Sequence, residues 1–71
     1  MNSVATSVNR YVDLNNVIQY IVDSGLTLDE FKIDGDYIRI GVSGEHRLDM
    51  GLFEEFLSDL EMEYDMEHFG V

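Results

Sequence analysis

The stretch that most restricts the fold of this chain is a glycine-centred turn at residues 34–36, set between two strand-like runs. The run that follows, 37–42, alternates apolar β-branched residues with other types, and the run before it, 26–33, contains Leu, Thr, Phe and Ile. An Asp-Gly turn flanked by such runs favours a β-hairpin in which Gly35 takes a positive φ. The opening of the first run, 28–31, is also compatible with a short helical turn.

Two amphipathic helical patterns flank this hairpin. In each of them apolar residues recur at i, i+3, i+4 and i+7: Leu14, Val17, Ile18 and Ile21 in the first, and Phe53, Phe56, Leu57 and Leu60 in the second. Asp13 and Asp49 are the predicted N-caps, Leu48 is placed to pack against the first residue of the second pattern, and Gly25 suits the left-handed position after the first helix. The patterns predict one helix at about 13–24 and another that begins after Asp49.

The two ends of the chain fit more than one structure. Residues 61–68 alternate acidic residues with Met62, Tyr64, Met66 and His68, which is typical of an edge strand with one wet face. The same segment also permits the second helix to continue. Residues 4–12 likewise fit either a strand or a helix.

These elements predict an α+β domain of two layers, with two helices packed on an antiparallel sheet that has the hairpin at its centre. If both ends are strands, the order is βαββαβ, the ferredoxin-like arrangement; if both are helical, helices pack around the hairpin. The chain has no proline, repeat or Gly/Ser-rich linker, so residues 1–71 are expected to form a single domain.

A chain of 71 residues buries a small core, and its stability is expected to be marginal. It has no cysteine and no metal-ligand cluster, so any additional stabilisation is expected to come from a binding partner or from a second copy in a homodimer. The first dozen residues do not resemble a signal peptide, and no apolar run approaches a membrane span. The expectation is therefore a cytoplasmic protein that does not enter membranes.

Charge is the strongest compositional feature. Fifteen acidic residues against four basic ones give a formal net charge of -11. All four basic residues precede position 48, while eight acidic residues follow it. Direct nucleic-acid binding is excluded by this balance, because affinity for phosphates depends on clustered Lys and Arg.

No enzymatic or metal motif is complete. The 41–45 segment resembles a nucleophile elbow, but its second glycine comes one residue too early. The turn at 34–36 fails as a calcium loop because Lys32 and Gly41 occupy ligand positions. His46 and His68 each follow a glutamate, but nothing in their spacing requires a shared metal ion. The sequence therefore predicts a protein that acts by binding, with no catalytic residues, metal or cofactor.

The leading hypothesis is that the late carboxylates form one acidic surface. On a strand, the outward acids of 61–67 would stand roughly 6.6 Å apart, beside a second row on the second helix. This surface would imitate nucleic acid and block a basic, nucleic-acid-binding protein, as small phage-encoded anti-CRISPR, anti-restriction or transcription inhibitors do. The predicted partner-binding residues are Glu54, Glu55, Asp59, Glu61, Glu63, Asp65 and Glu67.

The alternative hypothesis is a small adaptor or oligomerising subunit that binds through an apolar edge, with the acids serving solubility. An open edge strand would offer backbone pairing to a partner or to a second copy. The candidate anchors are aromatic and methionine residues: Tyr11, Tyr20, Tyr37, Tyr64, Met62 and Met66.

Overall fold

The computed structural model describes residues 1–69 and contains three strands and two helices in that range. In chain order they are β1 (Asn2–Asn9), α1 (Leu14–Asp23), β2 (Thr27–Asp34), β3 (Tyr37–Gly44) and α2 (Arg47–Phe69). The strands form one antiparallel sheet in the order β1-β3-β2. The predicted α+β class, with two helices packed on an antiparallel sheet, is confirmed.

The hairpin prediction is also confirmed. Asp34 pairs with Tyr37, so the loop has two residues, and Gly35 has a φ of 62°. Within residues 1–69 only glycines have a positive φ, so the φ of Asp36 is negative. A positive φ at the first loop residue followed by a negative φ at the second is the pattern of a type II′ turn. Residues 28–31 belong to β2, which carries a bulge there and no helical turn.

Helix α1 has the predicted caps at both ends. The side chain of Asp13 accepts a hydrogen bond from the backbone N–H two residues on. At the other end Gly25 has a φ of 70°, and its N–H donates to the carbonyl of Val22. The N–H of Leu26 donates to the carbonyl of Ile21, which completes a Schellman motif. Both of these apolar residues are buried.

The predicted start of α2 is wrong by three residues. The helix begins at Arg47, and the N–H of Asp49 donates to the carbonyl of His46, so Asp49 lies inside the first turn. Leu48 is 73% exposed and therefore does not pack against Phe53, which is fully buried. An acidic residue in the first turn still favours the helix through its interaction with the helix dipole.

The two ambiguous ends adopt different structures. The N-terminal segment is a strand, and its register places eight residues of β1 against β3. Residues 61–69 continue α2, so the edge-strand interpretation of this segment is wrong. Leu60 and Tyr64 explain this outcome, because they extend the apolar stripe of α2 against the core while Met62 and Met66 remain exposed.

The order of elements is therefore βαββα within residues 1–69. A sheet order of β1-β3-β2 with the crossing helix α1 agrees with the first three strands of a ferredoxin-like arrangement. The sixth element of that arrangement would have to come from a segment that is helical here. The complete βαββαβ order is not formed by the described residues.

One apolar core lies between the sheet and the two helices. The buried face of β3 supplies Ile38, Ile40 and Val42, and α2 supplies the largest fully buried side chain, Phe53. The remaining members come from β1, the two helices and the segments before α1 and before β2: Val8, Val12, Val17, Ile21, Leu26, Met50 and Leu57. Helix α2 contacts β1 and β3, and α1 contacts β2.

Two glycine substitutions are expected to have opposite effects on stability. Gly51 lies in α2 with open space around it, so Gly51→Ala should stabilise the domain by about 0.5–1 kcal/mol through helix propensity. Gly35 also has open space, but its positive φ makes Gly35→Ala unfavourable by about 1–2 kcal/mol. Urea unfolding followed by circular dichroism measures both. Destabilisation by Gly51→Ala would contradict the assignment of an exposed helical position.

Candidate functional site

Helix α2 carries all seven acidic residues that the sequence analysis assigns to partner binding. The predicted row along a strand at 61–67 is wrong, because this segment is helical. The helix places residues about 100° apart, so alternate residues no longer share one face. The seven residues instead divide between two flanks of α2.

Four of these residues form a continuous row that we call the acidic ridge. Its members follow each other at intervals of four residues, and all are exposed: Glu55, Asp59, Glu63 and Glu67. At about 1.5 Å per residue, neighbouring members are about 6 Å apart along the helix axis and the ridge is about 18 Å long. Helical spacing thus produces nearly the interval that was expected of a strand.

The other three acidic residues lie on the opposite flank of α2. Glu54 and Asp65 are exposed, whereas Glu61 is half-buried. The Oε1 atom of Glu61 accepts a hydrogen bond of 2.7 Å from the backbone N–H of Asn9, at the end of β1. Glu61 therefore links α2 to the sheet, and its carboxylate already accepts a hydrogen bond from within the domain.

Two of the four basic residues lie on the other side of the sheet from α2. Among residues 1–69, no Lys or Arg forms an ion pair with an acidic residue of α2. Lys32 and Arg39 face each other in register on the side of the sheet turned away from the core. Arg39 forms an ion pair there with Glu30, at 2.9 Å. The ridge is consequently an unneutralised row of charge.

A surface cleft adjoins the ridge between the start of α1 and the last turns of α2, and we call it the aromatic cleft. Its walls are formed by Tyr11, Val12, Asp13, Asn16, Leu60, Glu63, Tyr64, Glu67 and His68. The ring of Tyr64 stacks with that of Tyr11, at a centroid distance of 6.4 Å, and with that of His68, at 4.0 Å. The backbone carbonyl of Tyr64 lies 2.9 Å from Nδ1 of His68.

The aromatic cleft combines two features that bind cations. Aromatic ring faces attract Lys and Arg side chains, and carboxylates form charge-assisted hydrogen bonds with them. Tyr11 already has such a contact, because the guanidinium carbon of Arg10 lies 5.6 Å from its ring centroid. Glu63 and Glu67 belong to both the ridge and the cleft, so the two form one continuous surface.

The aromatic cleft is not among the sites predicted from the sequence. Tyr11 and Tyr64 are candidate anchors only under the alternative hypothesis, and Asp13 is predicted only as a helix cap. The helical interpretation of 61–69 contained one usable signal, since it places Tyr64 and His68 four residues apart on one helix face. The approach of Tyr11 to these residues depends on the tertiary fold.

A second exposed surface lies at the opposite edge of the sheet from β1. Every residue of β2 is exposed, although the strand contains three large apolar residues. Leu28, Phe31 and Ile33 are 40%, 44% and 54% exposed and pair in register with the buried residues of β3. They therefore lie on the same side of the sheet as the helices. The helices do not extend far enough to bury them.

The motifs considered for catalysis and metal binding are dispersed in the fold. His46 precedes α2 and His68 lies in its last turn, so about 33 Å of helix separates them. In residues 1–69 there is no group of three or more His, Cys, Asp or Glu side chains arranged to hold a metal ion. Across the same residues no helix has both the length and the apolar character needed to cross a bilayer.

Comparison of the chain with protein-family models, curated proteins and solved structures finds no match.

Proposed function

We propose that this protein is an acidic binding module that occupies the basic surface of a nucleic-acid-binding protein and so blocks it. It acts by binding alone, in the cytoplasm, without cofactor or catalysis. The observation that carries the proposal is the acidic ridge, four exposed carboxylates in an unbroken row with no Lys or Arg paired to them in the described chain. Small phage-encoded inhibitors of host defence or transcription act in this way.

The spacing of the ridge supports this function. A nucleic-acid strand presents one charge about every 3.4 Å, and the ridge presents one about every 6 Å on a rigid helix. A groove lined with Lys and Arg for phosphates therefore meets at the ridge about half the linear charge density of a single nucleic-acid strand. Opposite charges of this kind accelerate association and make it sensitive to salt.

The aromatic cleft supports the same function by providing an anchor. Its walls combine the ring of Tyr11 with the carboxylates of Glu63 and Glu67, which suits one Lys or Arg side chain of the partner. A basic surface laid along the ridge would insert one cation at this end. The ridge supplies the long-range attraction, and the cleft supplies a specific contact.

Repulsion within the acidic ridge destabilises the isolated helix, and this also supports binding to a basic partner. Like charges at i, i+4 disfavour a helix by a few tenths of a kcal/mol for each pair, and the ridge contains three such pairs, or about 1 kcal/mol. A surface that serves only solubility is better made from interspersed opposite charges. A basic partner would remove this repulsion.

Competition with DNA tests the proposal. The immobilised protein should capture a basic protein from a cell lysate at low salt, release it as salt rises, and release it also when duplex DNA is added. Screening of exposed charges predicts the first effect, and a shared site predicts the second. Retention of the captured protein in both high salt and excess DNA would rule out mimicry.

A second candidate function is that of a small adaptor or oligomerising subunit. The observation that favours it is β2, whose apolar residues and outer edge are exposed. Under this function, truncating Phe31 should abolish binding while neutralising the ridge leaves it nearly unchanged. The same pair of variants therefore separates the two candidates.

A further inference from the structure

The free edge of β2 offers main-chain hydrogen bonds as well as apolar side chains. In a two-residue hairpin the residues beside the loop form a hydrogen-bonded pair, and such pairs alternate with pairs that do not exchange hydrogen bonds. Asp34 and Lys32 therefore bond to β3, whereas Phe31 and Ile33 direct their N–H and C=O groups outward. An added strand would meet these groups first.

The other sheet edge is less suited to pairing. The residues of β1 alternate between exposed and partly buried, and α2 packs beside the strand. The N–H of Asn9 is already taken by the Glu61 carboxylate. Within residues 1–69, the edge of β2 is thus better suited to pairing with a further strand.

The charges of β2 identify the strand that fits there. We propose that the edge of β2 pairs with the same edge of a second copy, antiparallel, with Phe31 opposite Phe31 on the two-fold axis. In this register Glu30 of each copy lies opposite Lys32 of the other, which gives two pairs of opposite charge. The shift that places Lys32 opposite itself also sets Glu30 against Asp34, so repulsion disfavours it.

Each of these residues has capacity for the new contact. Glu30 uses Oε1 for Arg39, so its second carboxylate oxygen is available to Lys32 of the other copy. Lys32 lies directly opposite Arg39 within its own chain, a like-charge pair that a carboxylate from the second copy offsets. The pairing also places Phe31 and Ile33 of both copies on one side of the extended sheet.

The distribution of net charge is compatible with this dimer. Each copy carries a formal charge of -11, which opposes association. Helix α2 packs over β1 and β3, however, so the acidic ridges lie away from the β2 edges that meet. Moderate salt is expected to screen the remaining repulsion, since the Debye length is about 8 Å at 0.15 M ionic strength.

This inference is independent of the proposal that the ridge binds a basic protein, and sedimentation equilibrium tests it. At 0.15 M ionic strength the wild type should show a species of twice 8.2 kDa as its concentration is raised from micromolar to millimolar. Glu30→Lys or Lys32→Glu alone places like charges opposite each other twice and should raise the dimer Kd by ~10-fold or more. An equimolar mixture of the two variants should restore the dimer, because in the mixed dimer residues 30 and 32 of the two copies again carry opposite charges where they face each other.

Circular dichroism of each variant separates loss of the dimer from loss of the fold. A further variant, Ile33→Pro, removes one outward N–H at an edge position where proline is tolerated, and it should also weaken the dimer. A wild type that stays monomeric at millimolar concentration would overturn the inference. A dimer that persists unchanged in both charge variants, or a mixture that fails to restore it, would overturn it as well.

Discussion

Replacing Phe53 by Ala is expected to leave a large fraction of the molecules, about half, unfolded at 25 °C. Phe53 is fully buried at the centre of the core, and its ring lies 6.0 Å from that of Tyr20 on the other helix. Truncating a buried phenylalanine costs about 3–5 kcal/mol, which equals the whole stability that a core of this size supplies, about 3–5 kcal/mol. Far-ultraviolet circular dichroism and urea unfolding would measure the loss.

The matched control is Leu52→Ala, one residue earlier on the same helix. Leu52 is 44% exposed, so its truncation should cost less than about 1 kcal/mol and leave the domain folded. A cooperative unfolding transition of near wild-type midpoint in Phe53→Ala would contradict the assignment of Phe53 to the centre of the core.

Neutralising the acidic ridge should strongly weaken partner binding while the fold persists. The variant combines Glu55→Gln, Asp59→Asn, Glu63→Gln and Glu67→Gln. Each exposed charged contact is worth up to about 1 kcal/mol, so the loss of four should weaken binding by on the order of 100-fold. Removal of the three like-charge pairs should at the same time raise the melting temperature slightly. Titration against the captured partner gives the first quantity, and thermal unfolding gives the second.

A second variant controls for net charge. It neutralises four exposed acidic residues outside α2: Asp23, Asp29, Asp34 and Glu45. Both variants have a formal net charge of -7, since each loses four of the charges that give -11. The control should retain most of the binding. Equal loss in the two variants would show that total charge, and not the ridge, attracts the partner.

Local signals explain which parts of the fold could be predicted. The hairpin follows from Gly35 in a short turn, and α1 follows from the cap at Asp13 and the left-handed Gly25. The information that specifies each of these features lies within a few residues. The start of α2 was misplaced for a related reason: Asp49 has the chemistry of a cap, but the hydrogen bond to His46 shows that the helix has already begun.

The C-terminal segment shows why a local pattern was insufficient. Tyr64 belongs to the alternating pattern of a strand and also to the apolar stripe of a helix. Packing of Leu60 and Tyr64 against the core decides between them, and this depends on residues far away in sequence. The spacing of the acidic residues also depends on whether this segment is a strand or a helix. The aromatic cleft as a whole could not be predicted, because it joins Tyr11 to Tyr64, which lies far later in the chain.

The backbone of α2 gives the ridge a direction. The aligned peptide groups of a helix place a partial negative charge of about half a unit at its C-terminal end. The ridge runs toward that end, where Glu63 and Glu67 border the aromatic cleft. The attraction for a cation is therefore graded along the helix and greatest at the cleft. A basic groove is expected to be captured at this end first and then to settle along the row toward Glu55.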